Sequence, residues 1–304
     1  TLLGYAGAKL ITTSPPTASA LVLLFLFVGM GVVGFVDDFL KVRRQHNLGL
    51  RSRAKMIGQT VVALGFGALA LSPWLRDDSG ETPASRHLSF IRDIGGWTLP
   101  VVVVLVLIWL IVTATSNGVN LSDGPDGLAA GASVMVVGAY ALITIWQNNQ
   151  SCGITGVPNR SLCYDVRDPY DLAVVAAAIT GACFGFLWWN ASPAAIIMGD
   201  TGSLALGGAV AGLAILTRTE LLLVVLGGLF VLETASVLLQ VTCFKVTRRL
   251  TGTGRRIFLI APIHHHFEML GWEQVTVTIR LWILTGTCVA AGLGIFYAEW
   301  VAGI

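Results

Sequence analysis

Two adjacent carboxylates follow the end of a long apolar run. The run extends from Ala18 to Val36, and Asp37 and Asp38 come next in the sequence VDDFLK. Neighbouring residues on a helix point about 100° apart, so one carboxylate can bind a metal ion while the other faces a substrate. Lys41 lies three and four residues later, the spacing at which a helical lysine pairs with an acid or binds a phosphate. The alternative is that the pair only marks the membrane–water boundary.

Two more acidic motifs precede apolar segments. SDGPDG places Asp123 and Asp126 three residues apart in a Gly/Pro turn, and MGDTGS contains Asp200. Their structural interpretation is an N-capped helix after each motif, with Asp126 near the cap in the first and Asp200 or Thr201 as the cap in the second. A helix N-terminus also attracts anions, so capping and phosphate binding are compatible. Because Mg²⁺ prefers carboxylate oxygens and shares its ligands with substrate phosphates, the motifs favour a phosphate-handling enzyme.

Three consecutive histidines, His264 to His266, stand in the sequence PIHHHFE. Consecutive side chains point in different directions, so we do not expect all three to bind one metal ion. No cysteine lies nearby, which argues against zinc. The pattern favours one histidine that binds or protonates a phosphate, with the others structural. The alternative is a basic stretch at the membrane surface.

The composition predicts a membrane protein. Of the 304 residues, 55% are hydrophobic and 12% are charged, and the mean hydropathy is +0.76. A soluble protein has about a quarter of its residues charged. We therefore expect one all-α domain over residues 1–304, a polytopic membrane helix bundle of about eight spans plus a remnant at residues 1–11. The expected spans are 18–36, 57–74, 99–116, 127–146, 171–190, 203–216, 221–243 and 275–299, of which the short, Gly-rich 203–216 is the weakest.

The distribution of basic residues predicts the orientation. Segments 41–55 and 244–274 are rich in Lys and Arg, which makes them cytoplasmic by the positive-inside rule. Six predicted spans separate these segments, and an even number returns both to the same side. All four motifs then lie on the cytoplasmic face. Residues 147–170 lie outside, where Cys152 and Cys163 could form a disulfide.

Glu233 is an ionisable residue inside a predicted span. Such a residue is either a functional group or part of a buried interhelical hydrogen bond. A cation transporter, a distant alternative function, would place carboxylates near the midplane of several spans. Here the other acids of the motifs cluster at one face, which favours an enzyme.

The four motifs together resemble those of the polyprenyl-phosphate N-acetylhexosamine-1-phosphate transferases. The similarity covers essentially the whole chain, and the triple histidine with Pro262 and Glu268 resembles the muramoyl branch of that family. The resemblance implies transfer of phospho-MurNAc-pentapeptide from UDP-MurNAc-pentapeptide to undecaprenyl phosphate, giving lipid I and UMP, in the first membrane step of peptidoglycan synthesis. The rival within the family is transfer of GlcNAc-1-phosphate for teichoic acid or other surface glycans.

The resemblance also implies the surroundings of the enzyme. It implies Mg²⁺ as cofactor, the lipid bilayer of the bacterial inner (cytoplasmic) membrane as location, an active site on the cytoplasmic face, and a homodimer with no nucleic-acid partner. The family has a further N-terminal span and a cytoplasmic loop with a substrate-contacting lysine. This chain opens at Thr1, so we expect it to be truncated at the N-terminus.

Site residues follow from the resemblance by motif position. Asp200, Asp37 and Asp38 correspond to metal ligands and, with His264, to catalytic residues. Pro125 stands where the family has leucine, which stiffens the turn and removes a backbone donor. The expected substrate-binding residues are Lys41, Asn120, Asp123, Asp126, Asn190, Gln240, His265 and His266.

Overall fold

A computed structural model describes residues 1–44, 49–77, 80–153 and 163–302. Within these ranges the chain is helical, with isolated β-bridges and no β-strand. In chain order the helices are α1 (Leu2–Thr12), α2 (Ala18–Arg44), α3 (Ser52–Ala70), α4 (Val101–Leu121), α5 (Leu128–Asn149), α6 (Pro169–Asn190), α7 (Gly199–Leu216), α8 (Leu223–Leu226), α9 (Gly228–Thr251), α10 (Ile263–Met269) and α11 (Gln274–Ala302).

Seven of the helices in the described ranges are long and apolar enough to cross a membrane, namely α2, α4, α5, α6, α7, α9 and α11. The remaining predicted span, 57–74, corresponds to the 19-residue α3, which is not among these seven and begins with a charged turn containing Arg53 and Lys55. Helix α3 runs antiparallel to α4, since Asn117 donates to the side chain of Gln59, and Trp109 donates to that of Thr60. The predicted all-α membrane helix bundle is confirmed.

Several helices extend beyond the predicted apolar runs. Helix α2 continues past Val36 to Arg44, so the first acidic pair lies on the helix itself. Helix α4 includes Asn120, and α7 begins at Gly199. Polar side chains in a terminal turn can reach water, so the apolar run ends before the helix does. The predicted span 221–243 is divided at Gly227 into α8 and α9.

Helix α7 forms the centre of the bundle, although its sequence made it the weakest predicted span. Every residue from Ser203 to Leu216 is buried, and α7 packs between α2 and α4. Glycines allow the close approach: a Cβ on Gly207 would overlap the backbone of Ser116 on α4, and one on Gly34 of α2 would overlap the backbone of Asp200. The ends of α2, α4 and α7 are therefore held against one another.

The two ends of the bundle differ in what they carry. We call the motif end the one where α2 and α4 end and α3 and α7 begin. At the opposite end, the backbone N–H of Leu221 donates to the carbonyl of Ser89 at 3.0 Å. The chain returns to the motif end through α8 and the start of α9, where the N–H of Ile263 donates to Glu233 at 3.1 Å.

The two basic segments that were predicted to share a face lie at the same end of the bundle. Lys41, Lys55 and α10, from the two segments predicted to share a face, lie at the motif end. Cys152 and Cys163 form a disulfide, so the predicted pairing is confirmed. The residues between them, 154–162, lie outside the described ranges. The buried residues of α9 all lie within its first nine positions, and the rest of the helix is largely exposed.

Candidate active site

Three carboxylates meet at the motif end, and we call them the acidic cluster: Asp37 and Asp38 from α2 and Asp200 from the first turn of α7. One oxygen from each lies within 4.8 Å of the others. Lys41 neutralises part of this charge. Its Nζ lies 2.7 Å from Oδ2 of Asp37, 2.6 Å from Oδ2 of Asp200 and 3.4 Å from Oδ1 of Asp38. The predicted pairing of Lys41 with the adjacent acids is confirmed, and the lysine also bridges α2 to α7.

Lys55 is a member of the site that the motifs did not indicate. It lies in the first turn of α3, and its Nζ is 3.1 Å from Oδ2 of Asp200 and 4.0 Å from Oδ2 of Asp37. In the sequence it is one of several basic residues between two spans, and no motif distinguishes it from the others. Its place directly before an apolar helix is the only available signal. Three carboxylates and two ammonium groups leave the site with one net negative charge.

Asp38 has a structural task in addition to its place in the cluster. Its Oδ2 accepts hydrogen bonds from the backbone N–H of Thr201 at 2.8 Å and from the Thr201 hydroxyl at 2.7 Å. Its Oδ1 accepts from the N–H of Asp200 at 3.3 Å. These are unpaired donors of the first turn of α7, and no side chain of α7 caps them. The prediction that Asp200 or Thr201 caps this helix is wrong, because the cap comes from α2.

Asp37 and Asp200, the other two carboxylates, each have one oxygen that accepts an N–H hydrogen bond and one that contacts a lysine. We call the first kind held and the second kind exchangeable. Oδ1 of Asp37 accepts from the N–H of Leu50, and Oδ1 of Asp200 accepts from Asn120. The Oδ2 atoms of both contact lysine ammonium groups. A lysine ammonium is a mobile point charge that can leave when another cation arrives. The two Oδ2 atoms are therefore the ones available to a metal ion.

Asn120 was predicted to bind substrate, and its side chain holds Asp200. Its Nδ2 donates to Oδ1 of Asp200 and, at 2.9 Å, to the hydroxyl of Ser203. Asn120 thus ties the end of α4 to the start of α7 and orients the carboxylate. An oriented carboxylate loses less conformational freedom when it binds a cation.

The acidic cluster fits a hard divalent cation. Its donors are carboxylate oxygens, it already surrounds a positive charge, and together with Lys41 and Lys55 it has one net negative charge. In the described ranges, no other group of three His, Cys, Asp or Glu side chains comes equally close. The predicted metal ligands are therefore brought together, with Asp37 and Asp200 better placed than Asp38.

A cavity of about 840 Å³ opens beside the acidic cluster. Its size is in the range of small-molecule sites in proteins. Both lysines point to it, so an anionic ligand inside would face two ammonium groups. Its lining residues are Asp37, Lys41, Gly49, Leu50, Arg51, Ser52, Lys55, Met56, Gln59, Asn117, Asn120 and Asp200.

The loop between α4 and α5 carries the predicted pair Asp123 and Asp126. Burial raises the pKa of Asp123 to about 7, and the negative charges of Asp200 and Asp38 add to the shift. Asp123 therefore lies within electrostatic reach of the acidic cluster. Oδ2 of Asp126 accepts from the N–H of Ala194 at 3.1 Å, while α5 begins after Gly127 without a side-chain cap. Asp126 stands next to the N-cap position, Gly127, as predicted, but its carboxylate holds the neighbouring loop instead of capping α5.

Two other predicted residues also hold loops. The side chain of Asn190 is buried and donates to the carbonyl of Ile196 at 2.9 Å. Gln240 accepts from the N–H groups of Ile257 and Phe258, and it donates to the carbonyl of Phe258. Both side chains bond to the backbone of segments at the motif end rather than to the acidic cluster.

The three histidines have three different partners, as predicted from their consecutive positions. Nδ1 of His264 lies 3.1 Å from Oε2 of Glu233, and Nδ1 of His265 lies 2.6 Å from Oε2 of Glu268. Nδ1 of His266 accepts from the N–H of Leu259 at 3.2 Å.

Among the three, His264 is the one that faces the motif between α4 and α5. It is buried, and a Cβ placed on Gly124 would lie 2.6 Å from its Nε2. The position therefore requires glycine, and the close approach brings His264 against the SDGPDG loop.

Comparison with known proteins agrees with this site. The model of glycosyl transferase family 4 matches residues 20–218, which contain the acidic cluster and the SDGPDG loop. The phospho-N-acetylmuramoyl-pentapeptide-transferase of a Nocardioides species is 78% identical over 304 residues, which is 100% of this chain and 84% of the relative. The enzymes of that name from Cutibacterium acnes and Streptomyces avermitilis are 55% and 54% identical, over 99% of this chain and 83% and 82% of the relatives.

The similarity covers every helix of the bundle, and the identity is high over its whole length. The residues of the acidic cluster, the glycines that pack α7 and the histidine motif all lie inside the matched region. The chain therefore belongs to glycosyl transferase family 4, in the branch whose curated members are phospho-N-acetylmuramoyl-pentapeptide transferases.

Proposed function

We propose that this membrane protein transfers phospho-MurNAc-pentapeptide from UDP-MurNAc-pentapeptide to undecaprenyl phosphate, producing lipid I and UMP. The observation that carries the proposal is the acidic cluster with its two lysines beside a cavity at one membrane end, in a chain of this family. Phosphoryl transfer depends on charge neutralisation and positioning more than on covalent chemistry by the protein. Carboxylates for a metal ion and ammonium groups for phosphates supply both.

The exchangeable oxygens of Asp37 and Asp200 are the proposed Mg²⁺ ligands, with Asp38 beside them. When bound, Mg²⁺ neutralises charge on the diphosphate of the nucleotide substrate. Lys41 and Lys55 then contact phosphate oxygens instead of carboxylates, since they lie on the wall of the cavity. The three carboxylates and two lysines carry one net negative charge. The carboxylates can therefore bind Mg²⁺ while the two ammonium groups pair with phosphate oxygens.

An oxygen of undecaprenyl phosphate attacks the phosphorus that bears the sugar, and the bond from that phosphorus to the UMP oxygen breaks. Asp37 is the side chain that we assign to the acceptor, because it is almost fully buried and borders the cavity. It accepts a proton from the lipid phosphate, so that the attacking oxygen is free. Asp38 supports this arrangement by holding the first turn of α7.

The nucleotide and sugar lie, in this proposal, between the acidic cluster and the histidine motif. Asp123 lies within electrostatic reach of the acidic cluster, His264 lies against the SDGPDG loop, and Asn120 orients Asp200. Asp126, Asn190 and Gln240 shape the space by holding its loops, with His265 and His266 bonded to the histidine segment itself.

The motif end faces the cytosol of the bacterium, and the bundle lies in the cytoplasmic membrane. The basic segments at this end support that orientation. A lipid phosphate lies at the depth where the apolar part of α2 stops, which explains why the carboxylates stand there. The homodimer remains a proposal based on the family resemblance.

The test is release of UMP by the purified protein in lipid nanodiscs. We expect release from UDP-MurNAc-pentapeptide only when both undecaprenyl phosphate and Mg²⁺ are present. UDP-GlcNAc is the matched competitor, and we expect no release from it. Equal or faster release from UDP-GlcNAc would assign the chain to the other branch of reactions. No release from either, by protein that binds Mg²⁺, would contradict the proposal.

A further inference from the structure

Glu233 is a buried carboxylate that neither the acidic cluster nor the cavity beside it includes. It lies in the sixth position of α9 and has no exposed surface. Its Oε2 accepts from the N–H of Ile263 and lies 3.1 Å from Nδ1 of His264. Its Oε1 has no hydrogen-bond partner among the described residues. Burying a carboxylate destabilises a protein unless the carboxylate is paired and hydrogen-bonded. The burial of Glu233 with one unpartnered oxygen therefore needs an explanation.

His264 is equally buried and equally short of partners. Its Nδ1 is at hydrogen-bond distance from Glu233, and only the angle departs from that of a hydrogen bond. Its Nε2 has no partner in the described part of the chain, and it points to Gly124 in the SDGPDG loop. Buried ring nitrogens are almost always hydrogen-bonded, so the unpartnered Nε2 is the atom of this pair that remains able to accept a hydrogen bond.

The other two histidines do not share this arrangement. His265 is partly exposed and pairs with Glu268, its neighbour on the same helix. His266 accepts from the backbone of Leu259. Of the three, His264 alone has a buried carboxylate beside one ring nitrogen and, within the described ranges, a buried, unpartnered second nitrogen against the SDGPDG loop. The ring of His265 packs against it, with 4.2 Å between the ring centres, and limits its rotation.

We propose that Glu233 is a positioning residue that keeps the hydrogen of His264 on Nδ1, so that Nε2 presents a lone pair towards the SDGPDG loop. A carboxylate beside one ring nitrogen selects the tautomer and raises the basicity of the other nitrogen. His264 then accepts a hydrogen bond from a donor of the substrate, such as a hydroxyl or amide of the sugar–nucleotide part. This assignment rests on the proposed function, because the donor is a group of that substrate.

A second effect of Glu233 is to start α10. By accepting from the N–H of Ile263, the carboxylate satisfies a donor of the first turn of that helix. The same oxygen therefore determines where the histidine segment begins and how its first histidine is oriented. Because Glu233 is on α9, this fixes the segment to the bundle rather than to its own loop.

The test combines turnover with a direct measurement of the tautomer. Nitrogen-15 NMR of histidine-labelled protein, assigned with a His264→Gln variant, reports whether Nε2 carries a hydrogen. We expect an unprotonated Nε2 in the unmodified protein and a changed resonance in Glu233→Gln. A protonated Nε2 in the unmodified protein would overturn the assignment. This measurement needs no turnover, so it stands even if the proposed reaction fails.

The kinetic arm uses Glu233→Gln, His264→Gln and the double variant. Loss of a group that orients a functional histidine typically costs about 10- to 100-fold, so we expect that decrease in kcat for Glu233→Gln. The double variant should be no slower than His264→Gln, since Glu233 acts through the histidine. Independent, multiplied losses would contradict the proposal. Glu299→Gln is the matched control, a glutamate of α11 beside Arg92 at the opposite end, and it should keep normal turnover.

Discussion

Both ends of the bundle place a basic side chain among carboxylates, but the two arrangements differ in what can replace the base. At the motif end Lys41 lies among the acidic cluster. At the opposite end Arg218 is bonded to Glu81 at 2.9 Å, and lies 3.3 Å from Asp93 and 3.6 Å from Asp165. We call these four residues the Arg218 cluster. Each arrangement joins segments that are distant in the sequence.

The surroundings explain the difference. Asp93 also accepts hydrogen bonds from the hydroxyls of Ser85 and Ser89, at 2.5 and 2.6 Å, so both of its oxygens are held. The planar guanidinium of Arg218 spreads its donors over several loops. The cavity beside Ser85 measures about 20 Å³, room for a single water molecule. At the motif end a cavity of about 840 Å³ borders the lysines.

Clustered charge is therefore a poor indicator of function without these further features. The Arg218 cluster pairs its charges and connects the loops of one membrane face. The acidic cluster keeps two oxygens on mobile ammonium groups beside an open cavity. Exchangeable partners and space for a ligand distinguish the acidic cluster from the Arg218 cluster. Substitutions in the two clusters test this distinction.

The largest contrast is expected from matched neutral substitutions at the two ends. Asp37→Asn should lower kcat by about 10²–10⁴-fold, the usual cost of losing a well-placed acid–base group. Asp93→Asn makes the same chemical change in the Arg218 cluster and should leave turnover near normal. UMP release by equal amounts of folded protein measures both. Similar turnover in the two variants would remove the functional distinction between the clusters.

A smaller effect is expected when a metal ligand is lost. Asp200→Asn keeps the size of the side chain and the bond with Asn120, but it removes the charge that a hard cation needs. The Mg²⁺ concentration for half-maximal rate should rise by more than about tenfold, a typical cost of disturbing the groups around a metal ion. High Mg²⁺ should restore part of the rate. Asp165→Asn at the opposite end is the control and should not shift the Mg²⁺ curve.

The Arg218 cluster should govern stability instead of turnover. Arg218→Leu leaves carboxylates without their shared donor, and we expect a loss of about 1–3 kcal/mol in the free energy of unfolding. Thermal unfolding in detergent measures this loss. Turnover in membranes at low temperature should remain normal. A large loss of turnover by a fully folded variant would show that the two ends are coupled in function.

Most of the long helices were predictable from the sequence because their apolar runs are long enough to cross a membrane. Most members of the site were predictable because carboxylates are rare in such a chain. The cap that Asp38 provides and the role of Lys55 were not predictable, since both depend on which helices meet. The central position of α7 follows from close contacts at Gly34 and Gly207, and a glycine count alone does not say which helix a glycine will face.

The smallest predicted effect concerns pH. The pKa of Asp123 is raised to about 7, so the group is neutral below pH 7 and negative above it. Added negative charge near the acidic cluster should strengthen Mg²⁺ binding as the pH rises from 6 to 8. The expected change is about 1 kcal/mol, roughly fivefold in affinity. Isothermal titration with Mg²⁺ at both pH values measures it.

Asp123→Asn should flatten this pH dependence, because the amide carries no charge at either pH. The raised pKa also predicts that the folded protein loses stability as the pH rises from about 4 to 7, since the folded state holds this proton and the unfolded state releases it. If Mg²⁺ binding by Asp123→Asn kept the pH dependence of the unmodified protein, the titrating group would be a different residue.

The buried position of α7 has a consequence for the biogenesis of the protein. Helix α2 emerges from the ribosome early, whereas α7 is made only after α3 to α6 have been synthesised. The backbones of α2 and α4 meet α7 through glycine contacts, so their final packing must wait for it. Asp37 lies on α2 and Asp200 lies on α7. A nascent chain that stops before residue 199 therefore has no complete site for metal ions or phosphates. The acidic cluster can therefore be completed only after α7 has been made and packed against α2 and α4.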